Sequence, residues 1–176
     1  IEIGGNDGLA QSNTRLLEVT EGWHGELVEA DPKSFRKLNK LRGKKEVGNY
    51  LENSACVPYG FEKQTVKFES LNLMSTSPEL VSGSFDLDQQ RLQAKRYLAG
   101  SPGEFFSPAV TLDSVLERAK LGKEFGFFSL DVEGAEMGVL KGIDFSKWTF
   151  ELLLVETDNF QEVSDFFYHI AIGLMY

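Results

Sequence analysis

The chain has one cysteine, Cys56, so no disulfide can close within it. That thiol lies in the apolar run Ala55-Cys-Val57 and reads as packing rather than as a reactive group. Only two histidines are present. His24 precedes the second strand, on the far side of the sheet, and His169 falls in the last helix, so both read as surface residues and neither as a base. No stretch approaches the roughly 20 consecutive apolar residues that cross a bilayer. Cations are short against acids, 18 against 27, and the net charge of −9 repels phosphate backbones, which disfavours a nucleic-acid partner. The one basic run is Lys33 to Lys45. At helical spacing Phe35, Leu38 and Leu41 share a face there and the cations turn to water. The first residue, Ile1, already sits in a strand pattern and no targeting segment is visible, which favours a cytoplasmic or organelle-interior setting.

With 41% apolar and 26% charged residues, the composition is that of a soluble globular protein, and 176 residues suit a single domain over the whole of 1–176. Ile1 to Ile3 is a short strand. Leu16, Leu17 and Val19 then read as a helix packed on the sheet, with Ser12 or Thr14 as its cap. Gly25 to Glu29 is a second strand, a helix starts near Pro32, and Tyr50 to Val57 is a third strand. Strand-helix alternation of this kind builds a parallel sheet with right-handed crossovers. Residues 58 to 110 are less regular. Thr65 to Glu69 can add a strand, Leu73 to Ser84 is a loop over the site or a surface insertion, and Asp88 to Leu98 is a short helix ended by Ser101-Pro-Gly103. Thr111 to Ala119 is a helix. Phe125 to Val132 and Phe150 to Glu156 are buried strands, with a helix from Gly134 to Leu140 between them. A last helix, Val163 to His169, leads to an apolar end, Ile170 to Tyr176.

The sharpest signal is Glu2-Ile-Gly4-Gly-Asn6-Asp7-Gly8, a strand running into a glycine turn and then a helix. Glycines let a backbone approach a ligand, and Asn and Asp tolerate the dihedrals such a turn demands. Glu29 ends the second strand about 20 residues later, where a carboxylate can accept from a ribose diol. Asn53, Ser54 and Ala55, near the end of the third strand, would lie by the base. The turn lacks the third glycine of the dinucleotide pattern in register. It carries Glu2 and Asp7, which would repel a pyrophosphate and attract a sulfonium and an ammonium. The charge pattern favours S-adenosyl-L-methionine over a nicotinamide dinucleotide.

Ile3 to Gly8 with Ser12-Asn13-Thr14, Leu27 to Pro32, Thr111-Leu-Asp113, and Ser129-Leu-Asp-Val-Glu-Gly-Ala-Glu136 with Val139 to Gly142 stand in the order of the FkbM-type methyltransferase family, which the chain resembles. Glu2 and Gly5 stand where that family more often has Asp and Ala. The stretch after Glu156 barely supplies the antiparallel strand pair that closes such folds. The resemblance implies an α/β, Rossmann-like class I methyltransferase fold, a mostly parallel doubly wound sheet with helices on both faces. It implies S-adenosylmethionine-dependent O-methylation of a hydroxyl on a sugar or small molecule. Glu2, Gly4, Asn6, Asp7, Gly8, Ser12, Asn13, Glu29, Asp31, Ser54, Ala55 and Asp131 form the expected cofactor set. The alternative is an inactive domain of this kind, serving as a structural or partner-binding subunit.

Methyl transfer needs positioning and removal of a hydroxyl proton. Asp131, Glu133 and Glu156 are the candidate catalytic acids, because ligands bind at the carboxyl ends of parallel strands. Glu136, in a first helical turn, is also read as favouring the helix dipole. No spacing compels a metal site, and none is expected. Trp23 and Trp148 read as core.

Overall fold

The computed structural model describes residues 1–81, 85–96 and 103–173. In chain order the elements are β1 (Glu2–Ile3), α1 (Arg15–Glu21), β2 (Glu26–Val28), α2 (Pro32–Arg42), β3 (Tyr50–Glu52), β4 (Ala55–Cys56) and β5 (Thr65–Ser70). A 3-10 turn at Asn72–Met74 follows, then α3 (Leu87–Lys95), β6 (Gly103–Val110), α4 (Leu112–Ala119), β7 (Glu124–Leu130), α5 (Glu136–Leu140), β8 (Thr149–Val155) and α6 (Phe160–Gly173). Five strands make a parallel sheet in the order β3-β2-β1-β7-β8. This is the expected α/β architecture, with β1 and β7 meeting where the strand order reverses. A second sheet, β4-β6-β5, joins β4 and β6 in parallel and β5 and β6 antiparallel.

The core forms on β7 and the helices packed against it. Phe128 and Leu130 are buried with Leu112, Val115 and Leu116 of α4 and Val139 and Leu140 of α5. Thr111 caps α4 by accepting from the Ser114 N–H. Beside it Asp113 is tied down by Trp148 Nε1 and Lys147 Nζ, each at 2.6 Å, and by the Asp144 N–H. Burial alone would raise the Asp113 pKa, but hydrogen bonds from Lys147, Tyr59, Asp144 and Trp148 bring it down to about 2. This acid holds the end of α4 to the loop before β8.

Several expectations change. The stretch from Tyr50 to Val57 is two strands in two sheets, because Asn53 turns aside and gives its amide to the Glu29 and Ala30 carbonyl oxygens. The strand β6 was not foreseen, since Gly103 and Pro108 punctuate it like a turn; Pro108 sits opposite Thr65 in the antiparallel ladder. The strand β8 is not buried. It lies at the sheet edge, and Leu152 and Leu154 are 60% and 46% exposed. On α1, Leu16 and Val19 face water, and the buried residue is Glu18. The expected helix ends at residues 97–98, the turn at 101–102, the loop at 82–84 and the tail at 174–176 lie outside the described residues. No helix among the described residues is long and apolar enough to cross a membrane.

The largest departure is Arg42. It belongs to the basic run read as solvated, yet it is 2% exposed. Its Nε reaches Glu18 Oε2 at 2.8 Å, and its Nη1 reaches Glu2 Oε2 and Ser12 Oγ at 3.0 Å each. Its Nη2 reaches Thr14 Oγ1 at 3.0 Å. One guanidinium thus joins α2, β1 and α1, neutralising two buried acids. Arg42→Met leaves Glu2 buried without a cation and Glu18 with Arg15 alone, and is expected to cost about 3–5 kcal/mol in urea unfolding. A loss below about 1 kcal/mol would mean that the three groups do not act as a unit.

Candidate active site

A cleft opens where the strand order reverses, between the carboxyl ends of β1, β2 and β7. Crevices at this point are the ligand sites of doubly wound sheets. Gly4, Gly5 and Asn6 line it from the first turn, Glu29 and Asp31 from the end of β2, and Asp131 and Glu133 from the end of β7. Ser54 and Ala55 line it from the start of the second sheet, with Phe68, Leu73 and Leu80 forming an apolar stretch of wall. Phe68 is itself backed by Phe105, stacked at 4.9 Å.

The carboxylate of Glu29 faces the glycine turn. It accepts from the Asn6 N–H at 2.7 Å and from the Asp31 N–H at 2.6 Å. Burial pushes its pKa up to about 7 against the pull of those N–H groups. Each oxygen retains a lone pair for a ligand hydroxyl. Asp31 lines the cleft too, but its carboxylate caps α2 through the Lys33 N–H at 2.8 Å. Ser54 is 1% exposed, and its hydroxyl has no partner among the described residues.

Other members of the expected set stand apart. Glu2 is buried beneath the turn, where its carboxylate accepts from Ser12, Asn13, Thr14 and Arg42. Asp7 accepts from the Leu9 and Ala10 N–H groups and closes a local turn. Neither lines the cleft, nor do Gly8 and Asn13, whose amide goes to Ser129. Ser12 lines the cleft with its hydroxyl engaged by Glu2 and Arg42. The glycines have a reason other than ligand approach. A Cβ on Gly4 would strike the Asp131 carbonyl oxygen, and one on Gly5 would lie 2.8 Å from Leu38 Cδ1. Close contact between turn, strand and helix excludes side chains there.

The remaining acids of the site follow β7 and β8. Burial first, then the charges of Glu156 and Glu133 and a hydrogen bond to Glu156, push the Asp131 pKa up to about 7. Glu156 is exposed and is not part of the cleft wall, but it reaches Asp131. Glu133 adopts a left-handed backbone, φ +53°, and accepts from Gln90 Nε2 at 2.7 Å. Burial raises its pKa too. Glu136 turns back to accept from the Val132 and Gly134 N–H groups, so its place is in the turn. Among the described residues the cleft wall carries Glu29, Asp31, Asp131 and Glu133, and no Lys, Arg or His. Among the described residues no group of three or more His, Cys, Asp or Glu side chains is arranged to hold a metal ion.

The model of the methyltransferase FkbM domain matches residues 2–172, nearly the whole chain. The chain belongs to this family. No curated protein and no solved structure matches it. Sequence reasoning missed Gln90 and Phe68, which come from the irregular middle of the chain. It placed Cys56 in packing, and burial does push that thiol up to about 12, although one edge of the residue reaches the cleft.

A carboxyl whose folded pKa lies above its unfolded value favours folding at low pH and loses that contribution as pH rises through about 7, as Asp131 does. Asp131→Asn is therefore expected to stabilise the methyltransferase at pH 8 by roughly 1–3 kcal/mol and to leave it close to the parent near pH 4. Thermal melting at the two pH values checks this. Equal shifts at both would mean that ionisation of Asp131 carries no penalty.

Proposed function

We propose that this methyltransferase uses S-adenosylmethionine and methylates a hydroxyl of a sugar or small molecule. The observation that carries the reading is the charge of the cleft wall, four carboxylates and no cationic side chain among the described residues. A pyrophosphate would be repelled there, while a sulfonium and an ammonium are attracted. The acids that do this are Glu29, Asp131 and Glu133 rather than Glu2 and Asp7. Ser54 supports the fit, since a buried hydroxyl without a partner among the described residues is satisfied by a polar ligand atom.

In this reading Glu29 accepts the ribose hydroxyls, Ser54 and Ala55 border the base, and Asp131 borders the charged end of the cofactor. When bound, S-adenosylmethionine supplies an electrophilic methyl group. The protein then has two tasks, to align the acceptor oxygen and to take its proton. Asp131 suits the second, because a carboxylate with a pKa of about 7 is a stronger base than an ordinary one and is still ionised in useful amount near neutral pH. Its contact with Glu156 gives the proton a second carboxylate to share. Phe68, Leu73 and Leu80 offer an apolar surface to the acceptor, and Glu133 accepts from its hydroxyls.

Calorimetric titration with S-adenosylhomocysteine is expected to give saturable binding, and Glu29→Ala to weaken it by about tenfold or more through loss of a charged two-point contact. An unchanged affinity in that variant would put the ribose elsewhere. No heat from the parent at high micromolar ligand would refute the cofactor assignment.

A further inference from the structure

The crossover between β5 and β6 lays two buried polar side chains on the turn after β7. Thr76 is 0% exposed and donates Oγ1 to the Glu133 carbonyl oxygen at 2.8 Å. Gln90, on α3 and 8% exposed, donates Nε2 to Glu133 Oε2 at 2.7 Å and to the Met74 carbonyl oxygen at 3.2 Å. Glu133 is held at both ends, by its backbone and by its carboxylate. The restraint matters because a left-handed glutamate is disfavoured and persists only where its surroundings over-determine it. The helix that carries Gln90 is anchored separately. Arg91 Nε reaches Glu69 Oε2 on β5 at 2.8 Å, and Asp86 caps the helix through the Asp88 and Gln89 N–H groups.

The charged groups that act on Glu133 among the described residues are acids: Asp131 at the end of β7, Glu136 on α5, and Glu156 and Asp158 after β8. Among the described residues none of them is ion-paired, and Glu133 has no cation of its own. Burial and this crowd of charge favour protonation, and the Gln90 amide works against them. An amide donor favours the ionised form, because a carboxylate oxygen is a stronger acceptor than that of a neutral carboxyl.

We propose that Gln90 and Thr76 are positioning residues that hold Glu133 ionised at the cleft wall, so that the β5–β6 crossover forms a working part of the acceptor side. The term acceptor rests on the methyltransferase reading above; the positioning itself does not. A fixed, ionised carboxylate accepts hydrogen bonds from hydroxyl or ammonium groups and repels phosphate and carboxylate groups, so the crossover would select against anionic acceptors.

The test uses the full chain labelled with carboxyl-¹³C glutamate, titrated by NMR, with the Glu133 resonance identified by its loss in Glu133→Gln. In Gln90→Leu the Glu133 midpoint is expected to rise by about one pH unit, the worth of one hydrogen bond to a charged group, and in Gln90→Glu to rise further. Gln90→Met keeps the side-chain length and serves if the leucine variant does not fold. Thr76→Val, which frees the Glu133 carbonyl while sparing the amide, is expected to give a smaller rise. Midpoints unmoved in the folded Gln90 variants, or a shift shared by all glutamates, would overturn the proposal. S-Adenosylhomocysteine affinity, read on the same samples, is expected to stay within about threefold of the parent. A parent that fails to bind it would sink the cofactor assignment while the Glu133 midpoints still decide this one.

Discussion

The position of the glycine turn, and with it the mouth of the cleft, depends on one buried cation. Arg42 projects from the last turn of α2 and spans Glu2 on β1 and Glu18 on α1, with Ser12 and Thr14 completing its donors. A short strand of two residues has little of its own to hold it in register. The ion cluster supplies what strand length does not, because two carboxylates and a guanidinium withdrawn from water keep their place only together. The turn between β1 and α1 is stretched over this cluster. Gly8 adopts φ +78°, and a Cβ there would lie 3.0 Å from Arg42 Cδ, so the glycine lets the turn close down on the arginine.

From that fixed turn the rest of the cofactor side follows by hydrogen bonds between neighbouring strand ends. The Asn6 N–H is delivered to Glu29, Glu29 also takes the Asp31 N–H, and Asn53 binds the carbonyls of residues 29 and 30. The last contact diverts the chain out of the main sheet after β3 and into the second one. The diversion brings Ser54 and Ala55 to the cleft and puts Phe68 within reach of it. The second sheet thus furnishes the apolar wall as well as the anchor for α3.

Much of this was legible in the chain itself. Glu29 could be placed because strand-helix alternation fixes which end of β2 meets the first turn, and Asp131 because a nearly continuous apolar run marks a central strand whose end faces the crevice. What failed was reading the whole basic run as surface and Glu2 as facing the cofactor. Arg42 and Glu2 are in contact, yet nothing in local spacing says that α2 lies against β1 so closely that the two meet. The burial of β8 was misjudged for a related reason. Apolar content does not reveal whether a strand has a neighbour on both sides, and Leu152 and Leu154 lie on one with a single partner. Gln90 gave no signal at all, because a glutamine in a polar helix looks solvated until the tertiary fold turns it inward.

The acids of the molecule fall into two populations, and the difference between them separates support from chemistry. Glu2, Glu18 and Asp113 are buried with cations or multiple donors: Arg42 for the first two, Lys147 and Trp148 for the third. Glu29, Asp131 and Glu133 are held in the cleft by neutral donors or by another acid, and burial raises the pKa of each. A carboxylate kept this way is costly to the folded state. Replacing any of the three by its amide would remove the charge penalty and keep an acceptor oxygen, so carboxylates together at the ends of β2 and β7 are not explained by stability. A positively charged ligand set among them would offset the cost, which is the physical reason for proposing a cationic methyl donor there.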